Sequence, residues 1–134
     1  MSEKTPKIQP AIRFLEFRVV AVDFDAGTHP TKVNSEEDSI DFSLGFGFDP
    51  ARAQHYPVQF QLLLTEKESS FRLGVDAVAY FESKAPIDAA FKKSAFVAQN
   101  SPAIAYPYLR AFVSNFTINA GINPIVLPTY NFAK

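Results

Sequence analysis

Three stretches of this chain alternate apolar with small or polar residues at a period of two. From Ile40 to Phe48 the even positions are Ile40, Phe42, Leu44, Phe46 and Phe48, and the odd ones are Asp41, Ser43, Gly45 and Gly47. Tyr56, Val58, Phe60, Leu62 and Leu64 alternate with Pro57, Gln59, Gln61 and Leu63. Phe71, Leu73, Val75, Ala77, Ala79 and Phe81 alternate with residues that include Arg72, Gly74 and Asp76. A period of two is what a strand with one buried face requires. The joining segments, "DPARAQH" and "TEKESS", are short and polar, so the three strands are predicted to form an antiparallel meander. Pro57 has no amide donor, which predicts that its strand starts after it or exposes that end.

Upstream, "IRFLEFRVVAVDFD" (Ile12 to Asp25) is rich in strand formers but apolar at both parities from Val19 to Val22, a pattern expected of a strand covered on both faces. It is followed by "AGTHPTKVNSEEDS", with Gly27, Pro30 and the consecutive acids Glu36, Glu37 and Asp38. That is longer than a hairpin loop and reads as a crossover connection or a flap.

After Lys84 the period changes. Pro86 suits a first helical turn, Asp88 suits its positive end, and Ile87, Phe91 and Ala95 recur at intervals of four. A second helix is predicted from Asn100 or Ser101 as cap and Pro102 at its first position, ending at Gly121. Ile104, Tyr108, Phe112, Phe116 and Ala120 form one stripe of it, with Ala105, Leu109 and Val113 beside them. Pro107 is expected to kink or split this helix. Arg110 is its sole charge between Ala103 and Gly121, so an outer face this apolar needs a cover beyond one sheet, most simply a partner subunit.

At 134 residues the chain is one domain, residues 1–134, with a flexible tail expected over 1–10. Charged residues make up 20% and the net charge is −1, which argues against nucleic acid as a partner. There is no cysteine, hence no disulfide, thiolate metal site or cysteine nucleophile. Neither a signal peptide nor a membrane span is legible, and the expected location is the cytoplasm. The 14 Phe and 5 Tyr, with no Trp, must fill a core, an interface or a binding surface.

Motifs for catalysis are sparse. His29 and His55 lack companions at metal-ligand spacing, and no cofactor is expected. "LGFGFD" fails as a dinucleotide fingerprint because Pro50 stands where a third glycine is needed. Asn115, Phe116 and Thr117 match a glycosylation acceptor, but inside a predicted helix, which makes the match a coincidence. Asp76, Tyr80 and Glu82 share a strand face and read first as solvent-facing groups; an enzyme using Asp76, Tyr80 or His55 as acid/base is the rival reading, and a closed pocket with a buried carboxylate would favour it.

The last third is more specific. Pro102, the triplet Tyr106, Pro107, Tyr108, then Arg110, Val113, Ser114, Gly121, Pro124, Leu127, Pro128, Asn131 and Phe132 resemble the end of the SecB-type export chaperones. The order of elements agrees: a strand, a long crossover, three strands, two helices. The resemblance implies an α+β fold in which a four-stranded antiparallel sheet, with a long crossover loop after strand 1, carries two C-terminal helices packed on one face. It further implies a tetramer built from two dimers and an ATP-independent holdase, not an enzyme, that keeps unfolded or precursor polypeptides in apolar grooves. Implied partners are such polypeptides, an antitoxin, or the SecA motor, although the family's further C-terminal helix and tail have no match before Lys134.

For the groove, Phe46, Phe48, Tyr56, Leu73, Val75 and Tyr108 are the candidates, with core packing as the alternative role of each. Arg110 is expected in a buried or interfacial ion pair. A structural oligomer without a client is a third reading.

Overall fold

The computed structural model describes residues 11–28 and 39–133; the expected N-terminal tail and most of the crossover, with His29 and the Glu36–Asp38 acids, lie outside them. Four strands, β1 (Ile12–Asp25), β2 (Ser39–Phe46), β3 (His55–Glu66) and β4 (Phe71–Ser83), form one antiparallel sheet in the order β1-β4-β3-β2. The chain thus passes from one edge of the sheet to the other between β1 and β2, while β2, β3 and β4 are the predicted meander.

The β1 reading needs a correction. Its mixed parity comes from two bulges, where the pairing with β4 slips between Phe14 and Glu16 and between Val19 and Ala21. Each slip leaves one residue, Leu15 or Val20, without an opposite number and restores the inward face for the next pair. Phe14, Phe17, Val19 and Phe24 consequently stand opposite Phe81, Ala79, Ala77 and Leu73, whereas Val20 is 61% exposed. Among the described residues the strand is covered on one face only.

Of the two outcomes expected for Pro57, the open end is the one found, because β3 begins two residues earlier, at His55, and pairs Pro57 with Tyr80. The Pro57 carbonyl accepts from the Gly47 amide at 3.4 Å, so its missing donor faces the side where β2 has ended, and no ladder bond to β4 is lost.

The two predicted helices form one joined helical arm. A single turn, α1 (Ala89–Lys92), is capped by the Asp88 carboxylate, which accepts from Phe91 N at 2.8 Å. Ser94 Oγ takes the Phe91 carbonyl at 2.6 Å and ends that turn early. A π-helical turn, Phe96–Asn100, then runs straight into α2 (Ser101–Asn119), so neither Asn100 nor Ser101 serves as a side-chain cap. α2 continues through Pro107 unsplit. The carbonyl that Pro107 leaves without a donor belongs to Ala103, and both residues are exposed, so water can take it. Gly121, at φ +82°, ends the arm as predicted.

The core lies between the inner sheet face and α2. Val58, Phe60, Leu64, Leu73, Val75, Phe81, Leu109 and Val113 are fully buried there. At the other end of the sheet, the exit of β1 is pinned to the β3–β4 turn: Thr28 N donates to Ser69 O at 2.8 Å, and Gly27 (φ +75°) passes so close that a Cβ would lie 2.1 Å from that oxygen.

Candidate functional site

α2 has three working sides. Ala105, Leu109, Val113 and Thr117 face the sheet and are buried. Phe112 and Phe116 lean toward β1, where Phe116 meets Phe24 edge-on at 5.0 Å and a cleft of about 420 Å³ opens between them. Tyr106, Arg110 and Ser114, four residues apart, look toward the chain that follows Gly121.

That following segment, residues 122–132, lies along α2 without helix or strand, and its backbone is held by side chains. Tyr106 OH donates to the Pro128 carbonyl, Arg110 Nε to Leu127 O at 3.1 Å, and Ser114 Oγ to Ile125 O at 2.8 Å. In return, Ile125 N donates to Thr117 Oγ1 at 3.0 Å. Ile125 and Leu127 are buried while Val126 between them is 69% exposed. The segment ends in an aromatic cluster against the edge strand: Phe42 stacks on Tyr130 at 4.9 Å, and Tyr106 meets Phe42, Tyr130 and Phe132 edge-on at 5.7, 5.3 and 5.7 Å. Burial, and secondarily the neighbouring Tyr130, pushes the Tyr106 phenol well above its ordinary value against the opposing pull of Arg110, so it remains a proton donor.

A second aromatic group sits where β2 ends. Phe48 packs on Tyr56 at 5.8 Å with Lys92 Nζ above its ring at 5.4 Å; Phe91 meets Tyr56 edge-on at 5.8 Å. The Tyr56 hydroxyl is bonded to Ser101 Oγ at 2.5 Å. On the β1 side, Tyr108 stacks over Phe14 and Phe17 at 4.8 and 5.9 Å.

Of the six residues proposed from sequence, only Phe48 and Tyr56 are brought into contact as a pair of rings. Phe46 stands open at the β2 edge, and Tyr108 is 50% exposed on the opposite side of α2. Tyr56, Leu73 and Val75 are buried to 1% or less, so as placed here they serve packing and present no surface to a client. Their burial is the core-packing role that stood as the alternative for each, and it follows from the same inward alternation that suggested them. Phe42, Tyr106, Tyr130 and Phe132 were not among the groove candidates, although Tyr106 and Phe132 belong to the family-like pattern and the spacing of Tyr106, Arg110 and Ser114 beside two downstream rings was a legible signal. Arg110 makes the carbonyl contact above, and among the described residues of the chain it has no ion-pair partner.

The helix-free face carries the polar groups. His55 and Arg13 both pair with Glu82, at 3.1 and 3.0 Å, and Arg72 pairs with Asp23 at 2.8 Å; these side chains are exposed or half-buried, and each pair is worth at most about 1 kcal/mol. Asp76 lines a cleft of about 640 Å³ with Asp23, Asp41 and Arg72, and Tyr80 and His55 line another of about 630 Å³. Among the described residues the buried polar side chains are Ser69, Ser83, Ser101 and Thr117, without a carboxylate. No metal-ligating cluster occurs among the described residues, and none of their helices is long and apolar enough to cross a membrane.

A four-stranded antiparallel sheet carrying a joined helical arm on one face, with a cleft between that arm and β1, defines a SecB-like chaperone fold. The family model for the preprotein translocase subunit SecB matches residues 6–134, and the chain belongs to that family. It superposes on the SecB-like chaperone Rv1957 of Mycobacterium tuberculosis, solved with a ChAD peptide from the HigA1 antitoxin, at a TM-score of 0.71 with 16% identity, covering 90% of this chain and 91% of that one. A protein of unknown function from Streptococcus agalactiae matches at a TM-score of 0.52 and 15% identity, over 88% and 97% of the two chains. In sequence, an uncharacterized protein of Methanocaldococcus jannaschii is 28% identical over 98% of this chain and 84% of its own length.

Proposed function

We propose that this chain is an ATP-independent holdase that keeps unfolded or precursor polypeptides from aggregating. Membership of the SecB family supports the reading. The observation that carries it is the run of large apolar side chains open to solvent around the arm and the β2 edge: Phe46, Phe96, Ile104, Tyr108, Ile118 and Val126 are each 39% exposed or more. Such a surface gains roughly 25 cal/mol for each Å² of apolar client it covers, whatever the client's sequence. The same surface suits assembly, and a tetramer in which part of α2 is covered by a second copy belongs to this proposal.

A second reading is that the held polypeptide is an antitoxin. The likeness to the Mycobacterium tuberculosis chaperone solved with an antitoxin peptide favours it. Export of precursors and custody of an antitoxin both call for such an apolar surface and differ in the client it holds.

The test is suppression of light scattering by chemically unfolded citrate synthase at stoichiometric ratios of this protein. Suppression without nucleotide is expected, and unchanged aggregation would remove the holdase reading. Light-scattering mass on the same sample decides the assembly, a monomer being the outcome against a tetramer.

A further inference from the structure

Between β4 and α2 the chain crosses a corner of the sheet as a strap pinned at both ends. At its start the Ile87 amide donates to Ala53 O at 2.7 Å, and Gln54 Nε2 donates to Lys84 O at 3.0 Å. At its far end Ser101 gives Phe96 O both its amide and its hydroxyl, and that hydroxyl accepts from Tyr56. The π-helical turn Phe96–Asn100 follows from Pro102, which has no N–H for Ala98 O, so the helical ladder widens by one residue before α2 settles. Between the pins the chain is bonded to itself: Phe91 N to the Asp88 carboxylate, Lys92 N to Asp88 O, Ser94 N to Phe91 O, and the Val97 and Ala98 amides to Ser94 O. None of the side chains of residues 88–95 is fully buried. Yet they roof Tyr56, which is 1% exposed and stacks on Phe81 at 5.5 Å. The roof is Phe91, edge-on to Tyr56, together with Lys92, whose ammonium lies over Phe48.

We infer that residues 88–95 are a hinged strap that lifts from Tyr56 as a unit, turning on the π-helical turn, while the sheet and α2 stay folded. Lifting parts Phe91 from Tyr56 and Lys92 from Phe48, and it breaks no strand-to-strand bond. A segment whose hydrogen bonds close on themselves and whose side chains are half in water opens at a fraction of the free energy of global unfolding. The π-helical turn is the natural pivot, since its widened ladder already departs from the regular helix beside it. Phe91 stacks on Phe96, which is 44% exposed, so opening enlarges an apolar surface that is present when the strap is down. The role rests on the polypeptide-holding function proposed above and gives it a control. Warming melts the short helical turn and lifts the strap, the apolar area grows, and cooling closes it again. The Asp88 cap sets the balance between the two states.

The chain has no tryptophan, so Phe91→Trp places a reporter on the strap alone. On warming, its emission is expected to shift to the red about 10 °C or more below the loss of sheet circular dichroism, as a local opening requires. The unsubstituted protein should bind more bis-ANS over the same interval. A single coincident transition in emission, dye binding and circular dichroism overturns the strap. Asp88→Ala in the reporter background is expected to raise the acrylamide-accessible fraction about fivefold below that transition, the effect of one lost N-cap, while the circular dichroism midpoint stays in place. Equal shifts of both would make the segment part of the cooperative core and overturn the inference. Asp88→Ala alone should also suppress citrate synthase aggregation at a lower molar ratio than the unsubstituted protein. Greater opening with unchanged suppression overturns the control role. No suppression by either protein overturns the holding function and the control role with it, while the emission still decides whether the strap lifts.

Discussion

Tyr56 and Ser101 share a hydrogen bond of 2.5 Å at the joint between the central strand and the helical arm, with both residues buried. Their losses should be unequal. Ser101 Oγ also donates to Phe96 O at 2.7 Å, so Tyr56→Phe leaves the serine bonded and should cost about 1 kcal/mol. Ser101→Ala strands a buried phenol and should cost about 2–3 kcal/mol. Urea midpoints for the two variants check the order, which would be reversed or level if the phenol had another partner.

Alkaline pH should unfold the protein through its phenols. Burial raises both Tyr56 and Tyr106 above the ordinary value of 10.0, the Ser101 bond partly offsetting the first and Arg110 the second. Above about pH 10 the unfolded chain gives up those protons while the folded one keeps them, so stability that is complete below that pH falls as pH rises. Tyr106→Phe should flatten this decline in urea midpoints measured from pH 9 to 11; parallel slopes would count against it.

Two glycines at positive φ separate collision from conformational strain. Gly121→Ala meets no atom within 4 Å and should cost only the left-handed penalty, about 1 kcal/mol. Gly27→Ala adds a methyl 2.1 Å from Ser69 O and 2.9 Å from Phe71 N. It should cost at least twice as much in thermal or urea unfolding, because the turn it strikes is backbone and cannot swing aside.

Deleting Val20 should be tolerated. The pairing runs Val19 with Ala77 and Ala21 with Asp76, so removing the bulge residue leaves every later side chain on its present face. Deleting Val78, which is paired on both sides, turns one end of β4 over and should abolish folding. Circular dichroism and thermal unfolding of the two deletions make the comparison.

Phe46 is 39% exposed at the β2 edge. Phe46→Ser should shift stability by no more than about 1 kcal/mol and still weaken suppression of citrate synthase aggregation. A stable variant with undiminished suppression would place client contact elsewhere.

How far the sequence could be read depended on whether a residue's neighbours were local. β3 and β4 lie inside the sheet with one face on α2, so strict alternation named their buried residues and their hairpin. Among the described residues β1 pairs with β4 alone, and its bulges broke the alternation in a way that looked like burial on both faces. For α2, Ala105, Leu109 and Val113 were legible as a stripe, but which stripe met the sheet depended on the tail, whose seat is set by contacts across many residues of chain, such as Tyr106 with Pro128. The candidate site was least legible for this reason: alternation marks inward residues, and an inward residue such as Leu73 is buried in the core of the chain.

The strand order β1-β4-β3-β2 has a consequence for biosynthesis. Of the four strands β1 leaves the ribosome first, yet among the described residues its neighbour in the sheet is β4, with Ile12 opposite Ser83. Until the fourth strand emerges, Phe14, Phe17 and Phe24 have no sheet to join, and closing that long loop is entropically slow. For much of its own synthesis this chain is an exposed nascent polypeptide of the kind its folded copies are proposed to hold, so copies already made are available to shelter the next.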